Sequence, residues 1–320
     1  MSTPRLSAAW VIWGARREHS GGDKAYAFYA FLLVTVIAIV PIVRALWVFA
    51  SSPNGLAVLA SADASAAVSM IIAALWGGAL MAGRKRGPAL LPPFLLHALT
   101  ASSIRRALTL RRPVLRSATI IVAACAAGAV LVGMALLSES HAQLWRVMVF
   151  VVAAVATGIV TATLWLVGQV FPRAALPSAL TALVLAAISP SVPEVLAFTP
   201  WGWVGATYPL AGLGVLSLTG TTVLATASIF MIPALLDRLT GIQLSKQATQ
   251  WERATAFSFS FDFRAATAVY EAEPHSGATS AASDRAGTDG RRSSSAMWLD
   301  RLERPADYWE PSLRPSLREP

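Results

Sequence analysis

Charge is what this sequence has least of. Only 13% of its 320 residues are Asp, Glu, Lys or Arg, against roughly 25% in ordinary soluble domains. That deficit excludes a solvated surface over most of the chain, and 55% hydrophobic residues with a mean hydropathy of +0.58 stand in its place. Cysteine is nearly absent: Cys125 alone excludes an intramolecular disulfide and a cysteine-built metal cage. The four histidines, His19, His97, His141 and His275, are scattered with no second ligand at helical spacing, which argues against a metal centre. The phosphate-cradling sequence G-x-x-x-x-G-K-[ST] is missing, and Gly83-Arg-Lys-Arg-Gly87 has the wrong spacing for it. No Gly-x-Ser-x-Gly turn and no obvious Ser-His-Asp arrangement occur. The expectation is a chain with no catalytic residues, no metal and no cofactor of its own.

What the sequence has instead is long apolar runs. A hydrocarbon core of about 30 Å needs roughly 20 apolar residues in helix, and six runs meet or approach that length: 25–49, 62–82, 113–137, 144–171, 174–188 and 213–236. The expected fold class is therefore an all-α integral membrane protein, a six-helix transmembrane bundle. The first run exceeds the roughly 7–15 residues of a signal-peptide core and follows a polar segment, 1–24, so it reads as an uncleaved span. Prolines shorten the fifth run, and residues 189–208, with Pro190, Pro193, Glu194, Pro200, Trp201 and Trp203, read as an outer segment. Its tryptophans favour the headgroup level; the sharper alternative is an outer gate of Glu194, Trp201 and Trp203 folding partly back into the membrane.

Orientation follows from the cations. With the N-terminus inside, thirteen Lys and Arg residues ahead of the tail fall in inner segments, and Arg146 alone falls outside. That bias puts both termini in the cytoplasm and explains the net charge of +9 without nucleic acid. The tail, 237–320, starts with a mixed segment that reads as helical, although 257–263 alternates with the period of a strand. Residues 274–296 read as disordered linker. Arg44 lies toward the outer end of the first apolar run and Asp63 near the outer start of the second, and charges at such depth are usually paired; the two are expected to meet. Gln169, near the inner end of the fourth run, reads as helix-to-helix glue.

The inner loop 83–116 is the most informative segment. After its basic stop come Leu90-Leu-Pro-Pro-Phe-Leu-Leu-His97 and Ser102-Ser-Ile-Arg-Arg-Ala-Leu108. Two short helices are expected, one after Pro93 and one capped by Ser102 or Ser103, forming a cytoplasmic elbow between spans two and three. Two readings stay open: an interfacial loop whose arginines satisfy topology, or a docking elbow for a cytoplasmic motor built on His97, Arg105, Arg106, Arg111 and Arg112.

The succession of basic stop, GPALLPP, SSIRRALTLRRPVLR and a span resembles permease subunits of ATP-binding-cassette exporters of the type-2 exporter class, in particular poorly characterised bacterial members. Thr199-Pro-Trp-Gly-Trp203 before a glycine-rich last span, Gln250-Trp-Glu-Arg-Ala254 and Phe261-Asp-Phe-Arg264 are similar too, so the likeness covers residues 15–275. It departs at Pro92-Pro-Phe94, where the family has Pro-x-Asp, and at Ile104, where it has Asp. The resemblance implies a bacterial plasma-membrane protein of six spans, with a coupling helix and a broken hairpin before the last span. It also implies ATP used through a separate cytoplasmic ATP-binding-cassette ATPase, and a second permease half or a homodimer. A non-transporting membrane assembly or regulatory protein, recruiting cytoplasmic partners through its tail, is the alternative. No internal repeat favours a secondary transporter.

Overall fold

The computed structural model describes residues 21–92, 96, 105–189, 193–212, 214–259 and 264. Among these residues the fold is all-helical, with no strand. Helix α1 runs as Gly21–Val34, passes through a π-helical stretch Thr35–Ile39, and continues as Val40–Ala50. Pro41 follows that stretch and has no N–H to offer the preceding turn, a usual setting for widened helix bonding. There follow α2 (Pro53–Leu59), α3 (Ala64–Lys85), α4 (Arg106–Thr109) and α5 (Arg111–Ser138). Next come α6 (Leu144–Val170), α7 (Pro172–Ile188), α8 (Pro193–Phe198) and α9 (Pro200–Ala206). Helices α10 (Val215–Arg238) and α11 (Gly241–Phe259) complete the order.

Five of these, α1 from Phe28 together with α3, α5, α6 and α10, are long and apolar enough to cross a membrane. The chain is therefore a multi-pass membrane protein. At about 1.5 Å per residue the shortest of them, α3, is about 33 Å long, enough for the hydrocarbon core. Helix α7, from the run expected as a fifth span, has 17 residues, or about 26 Å, and falls short of one unbroken crossing.

Helix α6 is the hub. Of its apolar window 61% is buried, whereas none of the corresponding window of α1 is. Small residues explain the difference, because without a hydrophobic drive between helices the packing depends on close backbone approach. Gly168 lies so near α3 that a Cβ there would stand 2.2 Å from the Leu80 carbonyl oxygen, and Gly158 would meet Val122 of α5 at 2.7 Å. Thr157, Thr161 and Thr163 return their hydroxyls to carbonyls one turn back, at 2.8–3.0 Å, so buried hydroxyls do not stay without an acceptor. Helix α1, apolar on every side and bare, is suited only to an apolar solvent.

The helix ends sort by charge. One end of the bundle gathers Arg84 and Lys85 at the close of α3, Arg111 and Arg112 at the start of α5, Arg173 on α7 and Arg238 on α10. This is the basic end. At the opposite end α5 turns into α6 through Ser140, whose φ of 58° is left-handed. The Ser140 N–H donates to Leu137 O and the His141 N–H to Leu136 O, each at 3.0 Å, the paired bonds of a Schellman cap with serine in place of the usual glycine.

Replacing Gly168 by leucine should lower stability by about 1–3 kcal/mol, the overpacking range. Gly78, on α3, has open space for 4 Å around the point where a Cβ would stand, and its leucine variant should unfold like the parent. Thermal unfolding in mild detergent measures both; equal melting of the two variants contradicts the packing described for α6.

Candidate functional site

The basic end holds the densest set of polar contacts, and it begins from two helix ends that cap each other. Short α4 exposes its first N–H groups, and no side chain of its own segment caps them. The Asp237 carboxylate, from the last turn of α10, accepts the Ala107 N–H at 3.0 Å. In return the Arg106 guanidinium donates to the carbonyl of Leu239, the C-terminal cap of α10. A carboxylate at a helix N-terminus and a guanidinium at a C-terminus are each the favourable sign for the helix dipole. Leu110 ends α4 and starts α5, so α4, α5 and α10 meet in one joint.

Helix α11 locks onto this joint through amides. Gln169 of α6 is fully buried. Its Oε1 accepts the Ala89 N–H at 3.3 Å, and its Nε2 donates to Gln247 Oε1 of α11 at 2.9 Å. Its backbone carbonyl accepts from the Gln243 side chain, and Gln247 Nε2 donates to the Arg84 carbonyl at 3.4 Å. Gly87 is required beside it, since a Cβ would lie 1.9 Å from Gln169 Cδ. Around the amides, Ala89, Leu91, Leu96 and Leu110 share one apolar core with Leu236 of α10 and Leu244 and Ala248 of α11. The Arg86 guanidinium stacks over the Trp251 ring at 4.9 Å, and the Trp165 indole donates to the Arg86 carbonyl at 2.6 Å.

The arginines expected to form an outward docking face therefore divide. Arg106 is half-buried and turned inward as a cap, because Asp237 and Leu239 bring the end of α10 beneath it. Arg105, Arg111 and Arg112 are exposed. His97, Ser102 and Ser103 lie outside the described residues, as does most of the helix expected after Pro93; where a helix capped by Ser102 or Ser103 is expected, the described helix is the short α4, which starts at Arg106 with Arg105 at its N-cap. Nothing local in the sequence marks Asp237, Gln243 or Gln247 as members of the joint.

The second candidate region is the proline-broken stretch before α10. Trp201 is buried, 8% exposed, edge-on to Trp76 with ring centroids 6.5 Å apart. Trp76 is twelve residues beyond Ala64, the first residue of α3, which places the contact about 18 Å along that helix. Gly205 then passes Ser65 and Ser69 nearer the start of α3, and the Tyr208 hydroxyl donates to Leu59 O at 2.7 Å. Helix α9 thus climbs along α3 from mid-depth to the end opposite the arginines. The indole N–H groups of Trp76 and Trp201 are buried without an acceptor. Trp203 is half-buried on Gly220 of α10 and donates to Ala197 O at 2.8 Å. Glu194 falls in α8, and its side chain is outside the described residues.

Arg44 and Asp63 do not meet. Both are exposed, and among the described residues no ion pair joins them. The reason is the bare course of α1, which among the described residues packs on the bundle chiefly around α2 and α5. Cys125 on α5 is half-buried and free. No group of three or more His, Cys, Asp or Glu that could hold a metal occurs among the described residues.

Gln169→Leu and Gln247→Leu should each destabilise by about 1–3 kcal/mol, since each leaves a buried amide partner unsatisfied. The double variant should cost clearly less than the two singles together. Thermal unfolding of the four proteins tests this, and strict additivity contradicts the amide lock. No protein-family model, no curated protein and no solved structure matches the chain.

Proposed function

We propose that the chain is the membrane-spanning, permease-like subunit of an ATP-binding-cassette exporter of the bacterial plasma membrane. In this reading a separate cytoplasmic ATPase docks at the basic end, a second copy or second permease half completes the transporter, and ATP is used only through the partner. Both chain termini are cytoplasmic. The loop between α3 and α5 is the docking elbow, and α7 with α8 and α9 makes the remaining crossing in two broken pieces, giving six spans in all.

The observation that carries the reading is the joint between α4, α5 and α10. A coupling element has to transmit a push without yielding, and α4 is tied at both ends: covalently to α5 through Leu110, and to α10 through the caps of Asp237 and Arg106. A displacement of α4 then moves two long helices together, as rigid bodies. Exposed Arg105 and Arg111 would supply the charge an acidic partner surface recognises. The broken segment at Trp201 is of the kind tolerated at membrane depth only where protein buries it, as α3 and α10 do here.

The locked helix α11 favours a second reading, in which the chain recruits cytoplasmic partners through its tail without transport. Purification of the tagged full chain from its native membrane in mild detergent separates the two. Under the exporter reading an ATP-binding-cassette ATPase co-purifies, is lost with Arg105→Glu/Arg111→Glu, and is retained when residues 265–320 are removed. Absence of an ATPase from the parent eluate, or undiminished capture by the double variant, overturns it; capture lost only on removing the tail favours recruitment.

A further inference from the structure

We propose that a cleft at the end opposite the arginines binds an amphiphile with an anionic head and an acyl chain, through Arg146. This site is independent of the exporter reading and uses none of the residues of the basic end.

Arg146 stands in the first turn of α6, where a cation opposes the helix dipole. It is the one Lys or Arg beside the α5–α6 turn, a helix length away from the arginines of the basic end. Its guanidinium is poorly matched: Nη1 reaches the Pro209 carbonyl only at 3.4 Å, and Nε is buried with no hydrogen-bond partner. Among the described residues no carboxylate pairs with it. Its one further contact is the neighbouring Trp145 ring, 5.5 Å from Cζ. The start of α6 adds to the positive field, since Gln143 gives it no side-chain cap and its first turn holds no acidic residue. Gln143 Oε1 is engaged by the Trp145 indole instead, at 2.6 Å.

This charge lies on the wall of a half-open cleft of about 110 Å³. The other walls are the apolar faces of Trp145, Val149, Tyr208, Val215 and Leu218. Burial pushes the Tyr208 phenol up to about 12, so it stays protonated as the donor to Leu59 and does not compete with an anion. Beside the cleft Val215 and Leu216 are 64% and 87% exposed, giving an apolar mouth. An inorganic anion would satisfy the guanidinium but waste those walls, and a neutral hydrocarbon would leave Arg146 unmatched. A carboxylate or phosphate on an acyl chain satisfies both.

The two sources of such a head, a free fatty acid or a bilayer lipid, are distinguished by probe. The purified full chain in neutral detergent is titrated with oleate and with phosphatidylglycerol, with oleyl alcohol and phosphatidylcholine as controls, and retention is read by native mass spectrometry. The parent should retain at least one anionic probe over both controls, and the stronger of the two assigns the source. Arg146→Gln should weaken that retention about tenfold, the loss of one charge-assisted contact, whereas Arg146→Lys retains it. Leu218→Trp, which fills the cleft without touching the charge, should abolish it. Retention of neither anionic probe by the parent, equal retention of the controls, or undiminished retention by Arg146→Gln or Leu218→Trp each overturns the proposal.

Discussion

Hydrocarbon offers a buried N–H, C=O or charge nothing to bond with, and that constraint accounts for most of what the chain does. It makes the described fold helical throughout, so that backbone groups are satisfied within each segment. It turns the threonines of α6 back onto their own helix. It sends nearly every cation to one end of the bundle, where arginines find carbonyls, rings or solvent. Where a polar group does lie inside, as Gln169 does, it is bonded by amides on all sides. Among the described residues the buried side-chain exceptions are few: the two indoles at Trp76 and Trp201, and Nε of Arg146.

The basic end is built as a joint and not as a loose loop. Two helix ends cap one another, an apolar core runs beneath them, and α11 closes over the side. These contacts tie the short helix α4 to both α5 and α10. At the other end the packing is of a different kind. Helix α9 is held to α3 by glycine-level contact at Gly205 and by an aromatic edge at Trp201, a close-packed interface.

The long helices were legible because length and hydropathy are properties of contiguous sequence: each of the five lies on an apolar run visible without a structure. The break before α10 was legible from Pro190, Pro193 and Pro200. What was not legible was whatever joins distant residues. Asp237 and Ala107 are 130 positions apart and Gln169 and Gln247 are 78 apart, and neither Asp237 nor the α11 glutamines carry any local sign of a partner. Arg105 and Arg106 stand together in the expected docking elbow, yet one residue step separates an exposed guanidinium from a cap. The Pro-Trp-Gly-Trp setting of Trp201 leaves open both a headgroup position and a fold back into the membrane; what it does not show is that Gly205 lets its helix press into α3. The expected pairing of Arg44 with Asp63 rested on depth alone, and the bare course of α1 does not bring the two together.

The central claim is that the arginine-bearing joint faces the cytosol and the α5–α6 turn faces outside. Cys125 is the one native thiol, so a Cys125→Ala chain carrying either Lys85→Cys or His141→Cys reports each side directly. In intact cells a membrane-impermeant maleimide should label position 141 and leave position 85 untouched until the membrane is opened. Labelling of position 85 from outside, with position 141 protected, would invert the topology and remove the joint from any cytoplasmic partner.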